Sequence, residues 1–339
     1  MDTPTTPSIA ICIPTYNQAP FVARAVESAL RQTGHPHLQV WVSDDASTDD
    51  TANVMTALCA RDPRVHYHRH ERNLGIAENA SWVLARPDAE IVVRLDSDDL
   101  LLPDYVRILL ERLNAHPQAG YAHSAVAVID QHDVVQSVSR LFRPREYVDG
   151  DTALRESLKG YKTVANILMF RAEALRTANY YRGRPNFAED YDLSVRLADL
   201  GYGNVYVNDV LAQYRVWGDA QGIRHHRKAE HLRGLTQLFH RSFVAAYERR
   251  GWNLAEVRRA RTRVAERFAT AIFMPWITAQ ERVELVPLLF ELDGGLRVRL
   301  RVQLLRLGFA GLFAAAARVD ALLRRGAKNF LAAFRRRPG

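Results

Sequence analysis

The sequence contains little cysteine and no long apolar run. Its 339 residues include two cysteines, too few for a disulfide framework or a zinc site. Residues 1–14 contain neither a basic segment nor an apolar stretch of secretory-signal length. The longest uncharged apolar run near the C-terminus covers residues 307–317, whereas a membrane-spanning helix needs about 20 apolar residues. We therefore expect a cytoplasmic protein that does not cross a bilayer.

Glycine is absent from the loop after the first apolar segment, which has the sequence PTYN at residues 14–17. Dinucleotide-binding sheets carry G-x-G-x-x-G at this place, because glycines let a pyrophosphate approach the backbone. The sequence also contains no Walker A motif. The first absence argues against a nicotinamide-dependent dehydrogenase, and the second against a P-loop nucleoside triphosphatase.

Positive charge is scarce in the front of the chain and concentrated at its end. Residues 1–220 contain 22 basic and 29 acidic side chains, and residues 221–339 contain 24 basic and 9 acidic ones. This asymmetry predicts two regions, an acidic one at 1–220 and a helical, basic one at 221–339. The basic side chains are not regularly interleaved with aromatic ones, so nucleic-acid binding is not expected.

Apolar runs and helical patterns alternate through the front of the chain. Strands are predicted at residues 8–13, 38–43, 65–70 and 91–95, and helices at 21–32, 50–60, 76–84 and 103–116. Such alternation predicts an α/β protein with a mostly parallel sheet covered by helices on both faces. Ligands of such sheets bind beyond the carboxyl ends of the strands.

The loop after the second predicted strand is rich in acidic residues, with the sequence DDASTDD at 44–50. A carboxylate here, such as Asp45, can accept the N3–H of a uracil or thymine ring, and Tyr16 can supply a stacking face. The alternative is that Ser47, Thr48 or Asp49 caps the following helix. Both uses are compatible, because capping needs the later residues of the loop.

The fourth predicted strand ends in the sequence RLDSDD at residues 94–99. Carboxylates this close repel one another unless a cation lies between them. Mg²⁺ or Mn²⁺ takes one or two protein carboxylates and bridges to phosphate oxygens. The alternative is a solvated acidic turn.

The chain contains, in this order, the segments PTYN, DDASTDD, RNLG at 72–75 and LDSDD, followed by AEDYDL at 188–193. This ordered set closely resembles the motifs of the family 2 glycosyltransferases with a GT-A fold. The resemblance covers about residues 7–217. It implies that residues 1–220 form a Rossmann-like GT-A catalytic domain, which transfers a sugar from a nucleotide diphosphate with inversion at the anomeric carbon.

The resemblance implies donor-binding roles for residues of the first four segments. Asn73 would lie near the base and ribose, with Gly75 allowing close approach, and Asp96 would contact the ribose or a metal-bound water. Thr15, Tyr16 and Asp45 are expected to hold the base, and Pro14 is expected to be a further donor-binding residue.

Two further acids would carry the chemistry. Asp98 would ligate the divalent metal, Mn²⁺ or Mg²⁺, and Asp190 would be the general base that deprotonates an acceptor hydroxyl. The alternative for residues 188–200 is a helix with an acidic first turn. The chain departs from many relatives after Arg215, because no histidine follows before His225. Trp217 either packs on the sugar or marks a differently placed loop, and Arg215 is either a diphosphate contact or a surface arginine.

The segment at 296–334 mixes leucine, phenylalanine and alanine with many arginines. It suits either an anionic membrane surface, which would place the protein peripherally at the inner face of the cell membrane, or packing on the catalytic domain. The leading hypothesis is an inverting glycosyltransferase that uses a UDP-sugar or dTDP-rhamnose and a glycan or lipid-linked acceptor in surface polysaccharide assembly. The alternatives are a catalytically silent nucleotide- or carbohydrate-binding module and a nucleotidyltransferase.

Overall fold

The computed structural model describes residues 7–182, 188–217 and 227–309, together with 311 and 313. The helices and strands expected for residues 8–116 are all present. Their ends differ from the expected ones by at most two residues. The helix expected from Pro103 begins at Tyr105, after Asp104 at its N-cap position.

Ten strands form one sheet with the order β3-β2-β1-β4-β9-β6-β10-β5, while β7 pairs with β6 and β8 pairs with β10. The strands are β1 Ile9–Thr15, β2 Gln39–Asp44, β3 Val65–Arg69, β4 Ile91–Arg94, β5 Leu100–Leu101, β6 Ala119–Ile129, β7 Val135–Ser139, β8 Tyr147–Val148, β9 Leu168–Arg171 and β10 Gly203–Arg215. Strands β1 to β4 pair in parallel. Beyond β4 the sheet is mixed, because β9 runs antiparallel to both β4 and β6.

Twelve α-helices and one π-helical segment, Leu238–Phe243, lie in the described residues. The helices are α1 Ala19–Leu30, α2 Thr51–Arg61, α3 Ile76–Ala85, α4 Tyr105–Ala115, α5 Gly150–Ser157, α6 Ala172–Ala178, α7 Glu189–Asp199, α8 Lys228–Gln237, α9 Val244–Arg249, α10 Leu254–Ile272, α11 Ala279–Leu292 and α12 Leu296–Arg306. Within the described part of the chain, no helix combines the length and the apolar character that a bilayer crossing requires.

The sheet is buried on both faces because its central strands are apolar on both sides. Alternate residues of β1 divide between two cores: Ile11 packs with α1, α2 and α4, whereas Cys12 packs with α3, α6 and part of α7. Strands that are apolar on both faces are typical of sheets covered by helices on both sides. The α/β fold with flanking helices expected from the sequence is confirmed.

The C-terminal helices share a third core with the front of the chain. Leu154 of α5 and Val195 of α7 are buried together with Leu232 of α8 and Phe239 of the π-helical segment. Phe239 and Leu154 are fully buried. The described C-terminal helices therefore pack directly on the helices that follow the sheet, and α7 is held from both sides.

Candidate active site

Two acidic loops lie at the same edge of the sheet, on either side of β1. The main-chain N–H of Asp45, after β2, donates to the carbonyl of Thr15 over 2.9 Å, and that of Leu95, after β4, donates to the carbonyl of Cys12 over 3.0 Å. Because neighbouring strands are about 4.8 Å apart, β2 and β4 are separated by about 10 Å. The loops containing Asp45 and Asp96 therefore flank one cleft at the end of β1.

The carboxylate of Asp45 is buried and fixes the turn before α3. Its Oδ1 accepts from the N–H of Leu74 over 2.6 Å, and its Oδ2 accepts from the N–H of Gly75 over 2.9 Å. Gly75 has a φ of 95°, in the left-handed region that favours glycine. An ionised carboxylate offers about four acceptor positions. Asp45 therefore keeps capacity for a ligand N–H while holding this turn.

A cavity of about 420 Å³ opens beside this carboxylate. Tyr16, Asp45 and Asn73 all line it, and the ring of Tyr16 is 46% exposed. We call this the donor cavity. Sequence reasoning did not identify the side chains at and near the start of α8 that also line it, because they belong to the basic C-terminal region and carry no motif: Arg227, Glu230 and Arg233.

The remaining residues of the first two loops have structural contacts. Pro14 and Thr15 lie within β1, where they pair with Ser43 and Asp44 of β2. Asp49 accepts from the N–H of Thr51, the first residue of α2, over 3.1 Å. The late part of the loop therefore supports the helix, while Asp45 in its early part lines the donor cavity, so the two uses expected for this loop would involve different residues.

Arg94 joins the second acidic loop to α7. Its guanidinium Nε donates to Oδ1 of Asp96 over 3.0 Å, and its Nη1 donates to Oδ1 of Asp190 over 2.5 Å. Arg94 is 2% exposed and lies over the ring of Tyr181, 5.0 Å from its centroid. Two acids distant in sequence are thus held by one buried cation. The sequence analysis did not predict this link, although the sequence contains a signal for it. Arg94 ends the apolar strand IVVR, and buried arginines are normally paired.

A second cavity, of about 430 Å³, contains the acidic pair at the start of α7. Glu189 and Asp190 line it together with Tyr161, Tyr214 and, from α8, His231. We call this the base cavity. The first turn of α7 is acidic, as the helical alternative for this segment proposed, and it also places Asp190 in a cavity. Because α8 lines both cavities, it lies between them.

Burial disfavours the charge of both acids. It raises the pKa of Glu189 to about 7, with a further contribution from the negative charge of Asp190. It also raises the pKa of Asp190, while the neighbouring Arg94 acts in the opposite direction. Arg94 therefore favours the ionised form of Asp190, which is the form that accepts a proton.

Residues at and just after the end of β10 form hydrogen bonds to the loop that contains Asp98. Arg215 is buried; its N–H donates to Oδ1 of Asp99 and its Nε to the carbonyl of Asp98, each over 2.8 Å. The indole N–H of Trp217 donates to Oδ2 of Asp98 over 2.8 Å, and its ring packs edge-on against Phe21. Arg215 is thus not a surface arginine, and Trp217 contacts the acidic motif itself. His225 lies outside the described residues.

The residues around Asp98 fit a divalent cation. Burial, reinforced by the charge of Asp96, raises the pKa of Asp98, and a cation would offset both effects. Oδ2 of the neighbouring Asp99 is buried and has no hydrogen-bond partner in the described part of the chain. No group of three or more His, Cys, Asp or Glu side chains in that part is arranged to hold an ion. An ion at Asp98 would therefore need water or ligand oxygens to complete its shell, as Mg²⁺ commonly does.

The sheet and its flanking helices have a GT-A type fold. Residues 10–174, just under half of the chain, match Glycosyl transferase family 2, the family that the sequence resembles. The chain is 30% identical to Chondroitin synthase of Escherichia coli over 196 residues, which cover 58% of this chain and 27% of that protein. It thus matches about a quarter of the length of that relative.

Solved structures share the fold at low sequence identity. The crystal structure of S. aureus TarS 1-349 in complex with UDP-GlcNAc has a TM-score of 0.67 at 15% identity, covering 90% of this chain and 87% of that chain. The mannosyltransferase PcManGT from Pyrobaculum calidifontis, in complex with GDP-Man and Mn²⁺, has a TM-score of 0.54 at 21% identity, covering 97% of this chain and 81% of that one. These similarities extend over the C-terminal helices as well as the sheet.

The raised pKa of Glu189 predicts a pH-dependent effect of Glu189→Gln. Between about pH 4.5 and 7 the folded state holds a proton on Glu189 that the unfolded state has lost, so its contribution to stability falls as pH rises. The melting temperature of the variant should therefore rise relative to the wild type between pH 5 and pH 8, by a few degrees. Thermal unfolding of both proteins measures this. The control Glu111→Gln removes an exposed carboxyl of α4 and should show no such trend. A difference in melting temperature between Glu189→Gln and the wild type that stays constant with pH would contradict the raised pKa of Glu189.

Proposed function

We propose that this protein is an inverting glycosyltransferase that transfers a sugar from a nucleotide diphosphate to an acceptor hydroxyl. The contact that carries the proposal is Arg94, which holds Asp96 of the D-x-D motif and Asp190 on a single guanidinium. With the donor diphosphate bound at that motif, a base fixed to the motif would lie where an acceptor hydroxyl approaches the anomeric carbon. One direct displacement from the side opposite the leaving diphosphate inverts that carbon.

The donor cavity suits a pyrimidine nucleotide. Asp45 has acceptor capacity for the N3–H that uracil and thymine share, and the exposed ring of Tyr16 offers a stacking face beside it. Asn73 lies on the same wall for contacts with base or ribose, and Pro14 and Thr15 form the strand end that positions Tyr16. We therefore propose a UDP-sugar as donor, with dTDP-rhamnose as the next candidate.

Asp190 is proposed as the general base. A hydroxyl is a poor nucleophile at neutral pH, and a placed carboxylate that takes its proton during attack typically contributes 10²–10⁴-fold in rate. Oδ1 of Asp190 is occupied by Arg94, so Oδ2 is the atom we assign to the acceptor proton. Burial raises the pKa of this carboxyl and so makes the carboxylate more basic than an exposed one, while Arg94 favours its ionised form.

The proposed cofactor is Mn²⁺ or Mg²⁺ at Asp98. When bound there, the ion would stabilise negative charge on the leaving diphosphate. Trp217 and Arg215 hold Asp98 and its main chain in position, and Asp96 remains free for the ribose or a metal-bound water on the side away from Arg94.

The acceptor is proposed to be a hydroxyl of a glycan or lipid-linked glycan in surface polysaccharide assembly. It would enter the base cavity, where Tyr161, Tyr214 and His231 surround the acidic pair. Aromatic side chains are suited to the apolar faces of sugar rings. The name of the chondroitin synthase relative supports the polysaccharide part of this proposal.

The variant Asp190→Asn tests the base assignment. Sugar transfer, measured as nucleoside diphosphate release with acceptor present, should fall by about 10²–10⁴-fold, because an amide cannot accept the proton. Thermal stabilisation by UDP with Mn²⁺ should persist, since Asp190 lies outside the donor cavity.

The matched control is Asp88→Asn, an exposed change near the opposite end of β4, which should retain wild-type transfer. Wild-type turnover in Asp190→Asn would refute the base role. A wild-type protein that binds the nucleotide but releases no diphosphate with any acceptor would instead be a silent binding module.

We also propose a peripheral membrane contact through α12, at the cytoplasmic face. Its inner face, with Val298 and Val302, packs in the C-terminal core, while Leu296 and Leu300 on its outer face are 72% and 54% exposed. Arginines lie between these leucines, as suits an anionic interface. Packing and membrane contact thus use different faces of one helix. Residues 310, 312 and 314–334 of the predicted membrane segment lie outside the described residues.

Flotation with liposomes tests this contact. The protein should float with vesicles that contain anionic lipid, and Leu296→Ser/Leu300→Ser should float less, because apolar area is lost from the exposed face. The exposed Val283→Ser of α11 serves as control. Equal flotation of wild type with neutral and anionic vesicles would remove the electrostatic part of the proposal.

A further inference from the structure

A third cavity, of about 420 Å³, has an unusual excess of positive charge. It lies between the segment after β7, the end of α5 and the middle of α7. Four basic side chains and one acidic side chain line it: Arg140, Arg143, Lys159, Lys162 and Glu156. We call it the basic cavity. None of these residues lines the donor cavity or the base cavity.

Arg143 is held in place before any ligand arrives. Its Nη1 donates to Oδ1 of Asn204 over 2.7 Å and its Nη2 to the carbonyl of Asn204 over 3.1 Å. Its Nε is buried and has no hydrogen-bond partner among the described residues. The guanidinium is therefore fixed to β10 with one donor unused, although buried donors are normally paired.

The two lysines of the basic cavity have no close counter-ion. Within residues 7–182, 188–217 and 227–309, the side chains of Lys159 and Lys162 form no hydrogen bond or ion pair, and the side chain of Glu156 forms no ion pair either. Burial lowers the pKa of Lys162 and of Arg143, with Glu156 opposing it in both cases. Four cations with one carboxylate leave positive charge that an anion would neutralise.

The basic cavity adjoins the catalytic machinery on the acceptor side. Lys159 and Lys162 line it, whereas Tyr161 and Thr163 of the same short segment line the base cavity. On α7, Ser194 lines the basic cavity and Asp190 the base cavity, about one helical turn apart. The donor cavity, in contrast, is built at the ends of β1 and β2. An anion in the basic cavity would thus lie beside the acceptor and not beside the nucleotide.

We propose that the basic cavity is a binding site for an anionic group of the acceptor, a carboxylate or a phosphate, and that it selects acidic acceptors. This inference rests on the proposed glycosyltransferase function and extends it to the acceptor class. Arg143 provides a fixed donor, and the lysines provide mobile ammonium groups that adapt to either anion.

Binding of small anions to the full chain tests the site without requiring activity. Isothermal titration in EDTA, with inorganic phosphate and separately with glucuronate, should show that Lys159→Gln/Lys162→Gln binds at least one of the two anions about tenfold more weakly than the wild type does, because charge-assisted hydrogen bonds are lost. The control Arg31→Gln/Arg107→Gln removes two charges from exposed positions and should bind like the wild type. Asp45→Asn should also keep anion binding, which separates this site from the donor cavity.

Kinetics then connect the site to the acceptor. In Lys159→Gln/Lys162→Gln the KM for an acidic acceptor should rise about tenfold, while the KM for the donor and turnover with a neutral acceptor stay unchanged. Equal anion binding by wild type and double variant would overturn the proposal, as would an equal loss in the control. Thermal stabilisation by UDP and Mn²⁺ is measured for each variant as well. A protein that binds UDP but shows no difference in anion binding contradicts the basic cavity as an anion site, whereas a wild type that does not bind UDP contradicts the proposed function.

Discussion

The buried guanidinium of Arg94 is the constraint on which the arrangement of the site depends. A charge with 2% exposure at the end of an apolar strand is costly unless carboxylates pair with it. Asp96 and Asp190 supply that pairing, one from the loop after β4 and one from α7. Removing one partner of such a buried pair typically costs about 3–5 kcal/mol. The ion pairs of Arg94 thus link the end of β4 to α7, and the same two carboxylates are the ones proposed to contact the donor and to deprotonate the acceptor.

The C-terminal helices complete the site as well as the core. Helix α8 packs through Leu232 on the core shared with α5 and α7, and its other faces line the donor cavity and the base cavity. A loss of packing in this region would therefore change both cavities together. The basic cavity lies on the other side of the segment that follows α5. Different residues of α7 thus line the base cavity, line the basic cavity and pack in the C-terminal core.

The sequence predicted the front of the fold well because local patterns determine it. Residues 8–116 alternate in periodicity, and each apolar run is long enough for one strand. The antiparallel β9 and the mixed order beyond β4 were not predicted, because pairing between distant strands leaves no local pattern. The motif residues Tyr16, Asp45 and Asn73 were assigned to the donor site by resemblance, and they line one cavity. The backbone contacts of Asp45 with Leu74 and Gly75 could not be read from the sequence. Neither could Arg227 and His231, which reach the site only through tertiary packing.

The most direct measurement of the central claim is a crystal structure of the protein with UDP and Mn²⁺, with anomalous scattering used to locate the metal. The account predicts the uracil between Tyr16 and Asp45, the manganese peak beside Asp98, and Asp190 facing the open side of the diphosphate. A nucleotide bound in the basic cavity, or a manganese peak away from Asp98, would contradict it.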